Sequence, residues 1–312
     1  MKICVTGGAG FIGSWVAEAY RDAGHDVTIV DNFSTGRLDN VPDGIRLVRC
    51  DMGDPALSNL FLQERFDVVN HHAAYMELRV SVDQPIRDAS NNILGTLKVF
   101  EAARQSGVGH LINISSGGAV YGIQDEYPAT ELHAVRPLSP YGVAKATSEM
   151  YAAYYRAVHS MRVTNLRYTN VYGPRQNPFG EAGVIAIFVQ KFLKGETPII
   201  NGDGTQTRDY IHVADVVRAN MLVTEGHVEG TFNVATGIET DVNSVVQLIQ
   251  HALGKQAQVH HGPAKAGDLA RNVCSHTLLT NTTGWIPTIA VENGIQETTR
   301  WMVDHPRQPS AH

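Results

Sequence analysis

The chain has 312 residues, 43% of them hydrophobic and 18% charged, an ordinary composition for a globular protein with a large core and room for two lobes. Its 25 Lys and Arg against 31 Asp and Glu leave a formal charge of -6, so there is no polybasic footprint, and nucleic acid and anionic membranes are not expected partners. Cys4, Cys50 and Cys274 are odd in number and lack metal-ligand spacing, which predicts reduced thiols and no metal site.

Met1 leads straight into Lys2-Ile3-Cys4-Val5-Thr6 with no signal-peptide pattern before it, and no apolar run reaches the ~18 residues a membrane span needs. The expected compartment is the cytoplasm. Ile3–Thr6 reads as a short buried strand, followed by a glycine run at 7–13 and a helix from about Ser14 to Ala23, ended by Gly24. Val27–Val30 is a second strand closed by Asp31, and Arg46–Arg49, Val68–His71 and His110–Ile114 are the next three. Helical segments at 57–64 and 90–106 lie between them. This alternation predicts a parallel sheet covered on both faces. A long helix is predicted from Pro140-Tyr141 to about His159, then a strand Val163–Tyr168. After Gly173-Pro174-Arg175 the pattern loosens into loops up to Asp209. A strand Gly230–Val234, a helix Val242–Leu253 and a terminal turn and amphipathic helix over 285–301 follow, with Arg307–His312 expected to fray.

Gly7, Gly10 and Gly13 carry the first chemical signal. One glycine permits a tight turn out of the strand, a second lets the backbone approach a pyrophosphate, and a third lets the helix pack on the sheet. The helix N-terminus then offers free N–H groups to phosphates. Asp31 lies 18 residues after Gly13 at the end of the second strand, where a carboxylate can accept from the adenosine ribose hydroxyls and repel a 2′-phosphate. The expected cofactor is therefore NAD. Arg37, in the loop beyond, argues the other way.

Tyr141 and Lys145 carry the second signal. Four residues apart on a helix, they share one face. An ammonium beside a phenol favours the phenolate, which predicts a tyrosine acidified toward working pH and able to take a proton from a sugar hydroxyl. His71 and His72 are read as packing residues, and His260-His261 as surface.

Several motifs in one order then carry a resemblance over nearly the whole chain. They are Thr6–Gly13, Asp31–Gly36, Asp51-Met52, His71–Ala74, Asn92–Thr96, Ser115–Gly122, Tyr141–Lys145, Asn170–Arg175 and Arg208–Val213. The chain resembles the extended short-chain dehydrogenase/reductase family and, within it, the UDP-galactose 4-epimerases. The resemblance implies NAD contacts at Phe11, Ile12, Asp31, Asn32, Ser34, Gly36, Asp51, Met52, Ala73, Ala74, Asn92, Ser115, Lys145 and Tyr168, beside the three glycines. It implies Tyr141 as catalytic base, and Asn170, Val184, Arg208, Lys265 and Asp268 as the residues holding a nucleotide diphosphate and its sugar. A guanidinium at Arg208 suits a diphosphate; the bland alternative is a surface pair with Asp209.

Two departures stand out. The family's usual catalytic Ser or Thr falls on Gly117, so Ser116 is expected to supply the hydroxyl through a shifted loop, with Ser115 or water as alternatives. Thr169 replaces a frequent Phe and implies a roomier or more polar pocket. The sugar 4,6-dehydratases carry Thr-Asp-Glu at this strand end, and the uronate decarboxylases usually keep the Glu. Gly117-Gly118-Ala119 offers no carboxylate, which disfavours elimination and leaves epimerisation at C4. The segment Gln176–Gln190 contains Glu181 and no Lys or Arg, favouring a neutral hexose, with an N-acetyl group permitted. Another nucleotide-sugar oxidoreductase, a uronate epimerase and a non-catalytic NAD-binding sensor or scaffold remain as alternatives.

The implied architecture is α/β: a doubly wound parallel (Rossmann) NAD lobe, residues 1–168 with about 210–236, and a smaller mixed α/β C-terminal substrate lobe, about 169–209 with 237–312. By the same analogy, helices near 90–106 and 141–159 form a homodimer interface.

Overall fold

The computed structural model describes the chain except residues 77, 180–182, 257, 265–267 and 309–312 and the side chains of Leu78 and Arg79. Seven strands form one sheet in the order Gly230–Val234, Arg162–Tyr168, His110–Ser116, Val68–His71, Lys2–Thr6, Asp26–Asp31, Arg46–Arg49, and every neighbouring pair is parallel. The inner strands are apolar on both faces because helices cover both sides. On one face Val16, Ala17 and Tyr20 of the helix Phe11–Asp22 join Val216, Ala219 and Val223 of the helix Val213–Glu225, with Trp285 beneath them. On the other, Leu57 and Phe61 of Pro55–Glu64 meet Val99 and Phe100 of Thr96–Ser106 and Tyr155 of Pro140–His159. A third cluster joins Tyr172 to the helices Val184–Leu193, Val242–Leu253 and Val291–Asp304.

This is a doubly wound sheet, and its order locates a crevice. From Lys2–Thr6 the chain winds outward to Arg46–Arg49, then returns and winds the other way from Val68–His71. The carboxyl ends of those two central strands are the switch point, where loops diverge and leave room for a ligand. The helix Pro140–His159 is capped locally where it starts. Ser139 accepts from the Gly142 N–H at 3.1 Å, and Pro140 occupies the first turn, where its missing N–H costs nothing.

The structure corrects several sequence expectations. The stretch expected as loops up to Asp209 contains a ten-residue helix, Val184–Leu193, and the short strands Ile199–Asn201 and Thr207–Arg208, and a further short strand, Asn170–Tyr172, precedes it. That helix is apolar nearly all round, and the Gly- and Pro-rich flanks hide its start. The helix Val213–Glu225 was not anticipated either. The fifth strand runs to Ser116 instead of Ile114, which carries both serines to the crevice on regular backbone. The helix expected over 90–106 is a π-helical stretch, Ala89–Gly95, continued by Thr96–Ser106. Wider turns of this kind recur at functional sites, and this one holds Asn92 inside. Among the described residues no helix is long and apolar enough to cross a membrane, and no cluster of His, Cys, Asp or Glu could hold a metal ion.

Candidate active site

Gly7 ends its strand at φ +69°, and a Cβ on it would stand 2.7 Å from the Ala73 nitrogen. A Cβ on Gly13 would stand 2.4 Å from the Gly7 carbonyl oxygen. Both positions therefore exclude a side chain, as a close backbone approach requires. The helix begins after Gly10 with no side-chain cap and no acidic residue in its first turn, so the N–H groups around Phe11 and Ile12 stay available to an anion. Asp31 is buried; its Oδ1 accepts from the Phe33 N–H at 2.8 Å and its Oδ2 from the Ala9 N–H at 3.0 Å. Burial raises its carboxyl pKa, and the bonds from Phe33 and Ala9 offset part of that. The lone pairs left over can accept from ribose hydroxyls. Gly36 leaves this carboxylate room, since a Cβ there would lie 2.6 Å from Oδ1. Arg37 pairs with Asp39 at 3.0 Å.

Beyond Asp31, Asn32 donates to Asp51 at 2.7 Å and accepts from the Ser34 N–H at 2.9 Å. Met52 packs under Gly95. Asn92 holds the backbone of Tyr75 on both sides, accepting from its N–H at 2.8 Å and donating to its carbonyl at 2.9 Å. That fixes the segment through Ala73 and Ala74, whose start is tied to Thr6 Oγ1 by the Ala73 N–H at 3.3 Å. The residues present thus fit a dinucleotide along the switch point.

Tyr141 and Lys145 are both buried on one face of the helix Pro140–His159. Lys145 Nζ lies 5.8 Å from the Tyr141 ring centroid and donates to the Ile114 carbonyl at 2.7 Å. The acidified phenol expected from the sequence is not found. Burial pushes the Tyr141 phenol above its usual range, and the carboxylate of Asp88 pushes it further. The ammonium is spent on a strand carbonyl, and burial lowers its own pKa to about 8 against the pull of Asp88 and Glu149. Desolvation is the main cause of the phenol's upward shift.

The strand end settles which serine faces the crevice. Ser115 Oγ is buried and donates to Glu149 Oε1 at 2.5 Å. Ser116 is half-buried, and its hydroxyl bonds to no other described residue. A Cβ built on Gly118 would lie 3.7 Å from Ser116 Oγ, 3.9 Å from Asn170 Oδ1 and 4.0 Å from Asn272 Oδ1, so these three polar groups converge on one space. A Cβ on Gly117 would point elsewhere, to 3.1 Å from Cys274 Sγ and 3.6 Å from Thr169 Cγ2. Thr169 does not open the pocket: it is buried and directed toward Asp209 and the Val234 carbonyl. Tyr168 pairs across the sheet with Ser116, accepts from Asn220 at 2.7 Å and lies 3.3 Å from His72 Nε2.

Arg208 donates to the carbonyls of Thr207 and Leu269 at 2.8 and 2.7 Å and forms an ion pair with Asp268. The alternative of a surface Arg208–Asp209 pair is overturned. Asp209 is fully buried and accepts from Thr236 Oγ1 at 2.6 Å and from the N–H groups of Thr236, Gly237 and Cys274. Val184 opens the helix beyond Asn170. Lys265 and Glu181 lie outside the described residues. His71 is neutral, its pKa lowered to about 3 by burial, and it joins Thr6 to Thr96. His260 and His261 are exposed.

Sequence reasoning missed three residues here. Glu149 stands one turn beyond Lys145, a spacing that was legible. Asp88 and Asn272 had no local signal. Asn272 is buried, with its Oδ1 lacking a partner among the described residues. A separate concavity of about 820 Å³ at the opposite end of the sheet, bordered by Phe66, His110 and Arg162, touches none of these groups.

Comparison with known proteins identifies the family. Residues 3–235 match the family model described as the NAD dependent epimerase/dehydratase family. A UDP-glucose 4-epimerase of Mycolicibacterium smegmatis is 40% identical over 306 residues, covering 96% of this chain and 97% of that one. The crystal structure of a UDP-glucose 4-epimerase from Thermotoga maritima with UDP-glucose superimposes with a TM-score of 0.94 at 38% identity, covering 97% and 99% of the two chains. That of the Thermus thermophilus UDP-glucose 4-epimerase complex with NAD gives 0.94 at 39% identity, covering 98% and 100%.

Proposed function

We propose, because this chain belongs to the NAD dependent epimerase/dehydratase family, that it is an isomerase inverting C4 of a UDP-linked neutral hexose, interconverting UDP-glucose and UDP-galactose through a transient 4-keto sugar. One observation carries the choice of reaction: Tyr141 and Lys145 share a helix face beside a strand end, Ser116-Gly117-Gly118, that bears no carboxylate. Elimination of water needs a further acid and base there; epimerisation does not.

The cofactor is held by the Gly7–Gly13 turn, Phe11 and Ile12, by Asp31, Asn32, Ser34 and Gly36, by Asp51 and Met52, and by Ala73, Ala74, Asn92, the Ser115 backbone, Lys145 and Tyr168. NAD, when bound, supplies the two-electron acceptor that takes a hydride from C4 and returns it, together with a positive charge at that end of the crevice. Tyr141, as the phenolate that forms once the site is loaded, takes the C4 hydroxyl proton and restores it after the ring has turned. Ser116 Oγ bridges the phenol and the substrate oxygen, the part usually played by a hydroxyl at position 117. Arg208, Asp268, Lys265, Val184 and Asn170 hold the nucleotide diphosphate and sugar, so anchoring energy comes from the part that does not move. The exposed apolar stripe Val143, Met150, Tyr154 and Val158 on the helix Pro140–His159 supports a homodimer, and three unpaired cysteines suit the reducing cytoplasm.

The test is incubation with UDP-glucose and, separately, UDP-galactose without added reductant, with product stereochemistry read by NMR. Mixing of the two sugars with no net NADH is expected; stoichiometric NADH, or a 4-keto-6-deoxy product, overturns the reading. Ser116→Ala should lower kcat by roughly 10- to 100-fold at unchanged fold, as expected for one positioned proton-relay hydroxyl. Ser115→Ala should act on thermal stability more than on kcat, because its hydroxyl faces Glu149. The reverse pattern would reassign the hydroxyl to Ser115.

A further inference from the structure

Arg307 and Gln308 reach the cofactor turn from the C-terminal side of the chain. Ala9 sits inside that turn, and its carbonyl accepts from the Arg37 N–H at 2.9 Å and from Asn40 Nδ2 at 3.1 Å. Both donors are themselves held by consecutive tail residues. Arg307 Nη2 donates to Asn40 Oδ1 at 2.5 Å, and Arg37 Nη1 donates to the Gln308 carbonyl at 3.2 Å. Asn40 is buried, so its carboxamide has one orientation that satisfies both ends, with nitrogen on Ala9 and oxygen on Arg307. The Arg307 guanidinium lies over the Trp301 ring, 5.0 Å from its centroid. Trp301 belongs to the terminal helix Val291–Asp304, whose Ile295 and Met302 pack in the cluster with the helices Val184–Leu193 and Val242–Leu253.

We infer that Arg307 and Gln308 form a latch that positions the Ala9 carbonyl, and with it the pyrophosphate-binding turn, from the far half of the molecule. The inference rests on the cofactor reading above. The other contacts of Ala9 come from the sheet side, where its N–H reaches Asp31 Oδ2 at 3.0 Å. The tail, through Asn40 and Arg37, fixes the next peptide, Ala9–Gly10. Without Arg307 the acceptor end of a buried carboxamide is unsatisfied, Asn40 is free to rotate away, and the turn loses one of the two donors on Ala9. Arg307 acts through Asn40 and is a positioning residue.

The experiment compares full-length protein, Arg307→Ala, Arg307→Lys and a chain ending at Pro306 by calorimetric titration with NAD and by turnover of UDP-glucose at saturating NAD. Arg307→Ala and the shortened chain are expected to bind NAD roughly 5- to 50-fold more weakly, the range that follows from leaving one buried acceptor unpaired. Their kcat at saturation should stay within about twofold, and the thermal midpoint of the NAD-free protein should fall by no more than about 2–4 °C, since one unpaired acceptor in one turn is lost and the core is kept. Arg307→Lys should recover part of the affinity by keeping a donor. Unchanged NAD affinity in both disrupted variants, with full-length protein binding normally, removes the latch alone. A parallel fall of kcat and of the NAD-free midpoint beyond those limits also removes it, because the tail is then merely structural. Full-length protein that binds no NAD removes the cofactor reading and the latch together.

Discussion

Tyr141→Phe is expected to lower turnover of UDP-glucose by about 10²- to 10⁴-fold while leaving NAD affinity within about twofold, the range for losing one positioned proton-transfer group. The substitution is clean because the ring is buried and the change removes only the hydroxyl, so packing in the first turn of the helix Pro140–His159 is kept. The size of the loss follows from the absence of a nearby substitute. Ser115 is turned to Glu149, Lys145 donates to the Ile114 carbonyl, and His71 and His72 are held neutral far below their usual range by burial. Ser116 bridges but has no strong base behind it among the described residues. Asp88 and desolvation both hold the phenol in its neutral form before ligands enter, so ionisation must be assisted by the bound state. Progress curves for both epimers and a calorimetric NAD titration check the prediction. A variant retaining more than about a tenth of wild-type turnover would move the proton-transfer role to Ser116 or water.

How much of this was legible in the residues depends on range. Gly7, Gly10, Gly13 and Asp31 form a local spacing, and local spacing is what a turn, a helix start and a strand end require. The same holds for Tyr141 and Lys145, one helical turn apart. The choice between Ser115 and Ser116 was not legible, because it depends on Glu149 standing across the strand end. Nor was the direction of the Tyr141 shift, since burial and the approach of Asp88 are properties of the packed site. Arg208 has an acidic neighbour in sequence and a different one, Asp268, in space. The helix Val184–Leu193 escaped because an all-apolar run shows no amphipathic period to separate it from loop or strand.

The second large effect is expected behind the strand end, at Arg167, which holds the same Glu149 carboxylate as Ser115. Arg167→Leu should cost about 3–5 kcal/mol, the range for removing one partner of a buried ion pair. Arg167 and Glu149 have side chains only 6% and 9% exposed, and the guanidinium meets the carboxylate twice, at 2.9 and 2.5 Å. Burial opposes the guanidinium's charge, yet Glu149 holds its pKa above the ordinary value. Arg167 also donates to Tyr121 Oη at 2.8 Å, which in turn donates to Asn233 at 2.7 Å. Removing the arginine therefore strands a carboxylate whose remaining partner is Ser115, and it loosens the strand end that presents Ser116. Turnover should fall with stability in this variant, unlike in Ser116→Ala. The double variant Arg167→Leu/Glu149→Leu separates charge from packing, because it removes both ions and fills the space with carbon. It should regain much of the midpoint lost in the single variant, and turnover should return with it, since Ser116 and not Ser115 faces the crevice. Denaturant unfolding of the NAD-free forms measures this directly. A loss below about 1 kcal/mol in Arg167→Leu would be the size of an exposed pair and would contradict the buried geometry on which the position of Ser116 rests.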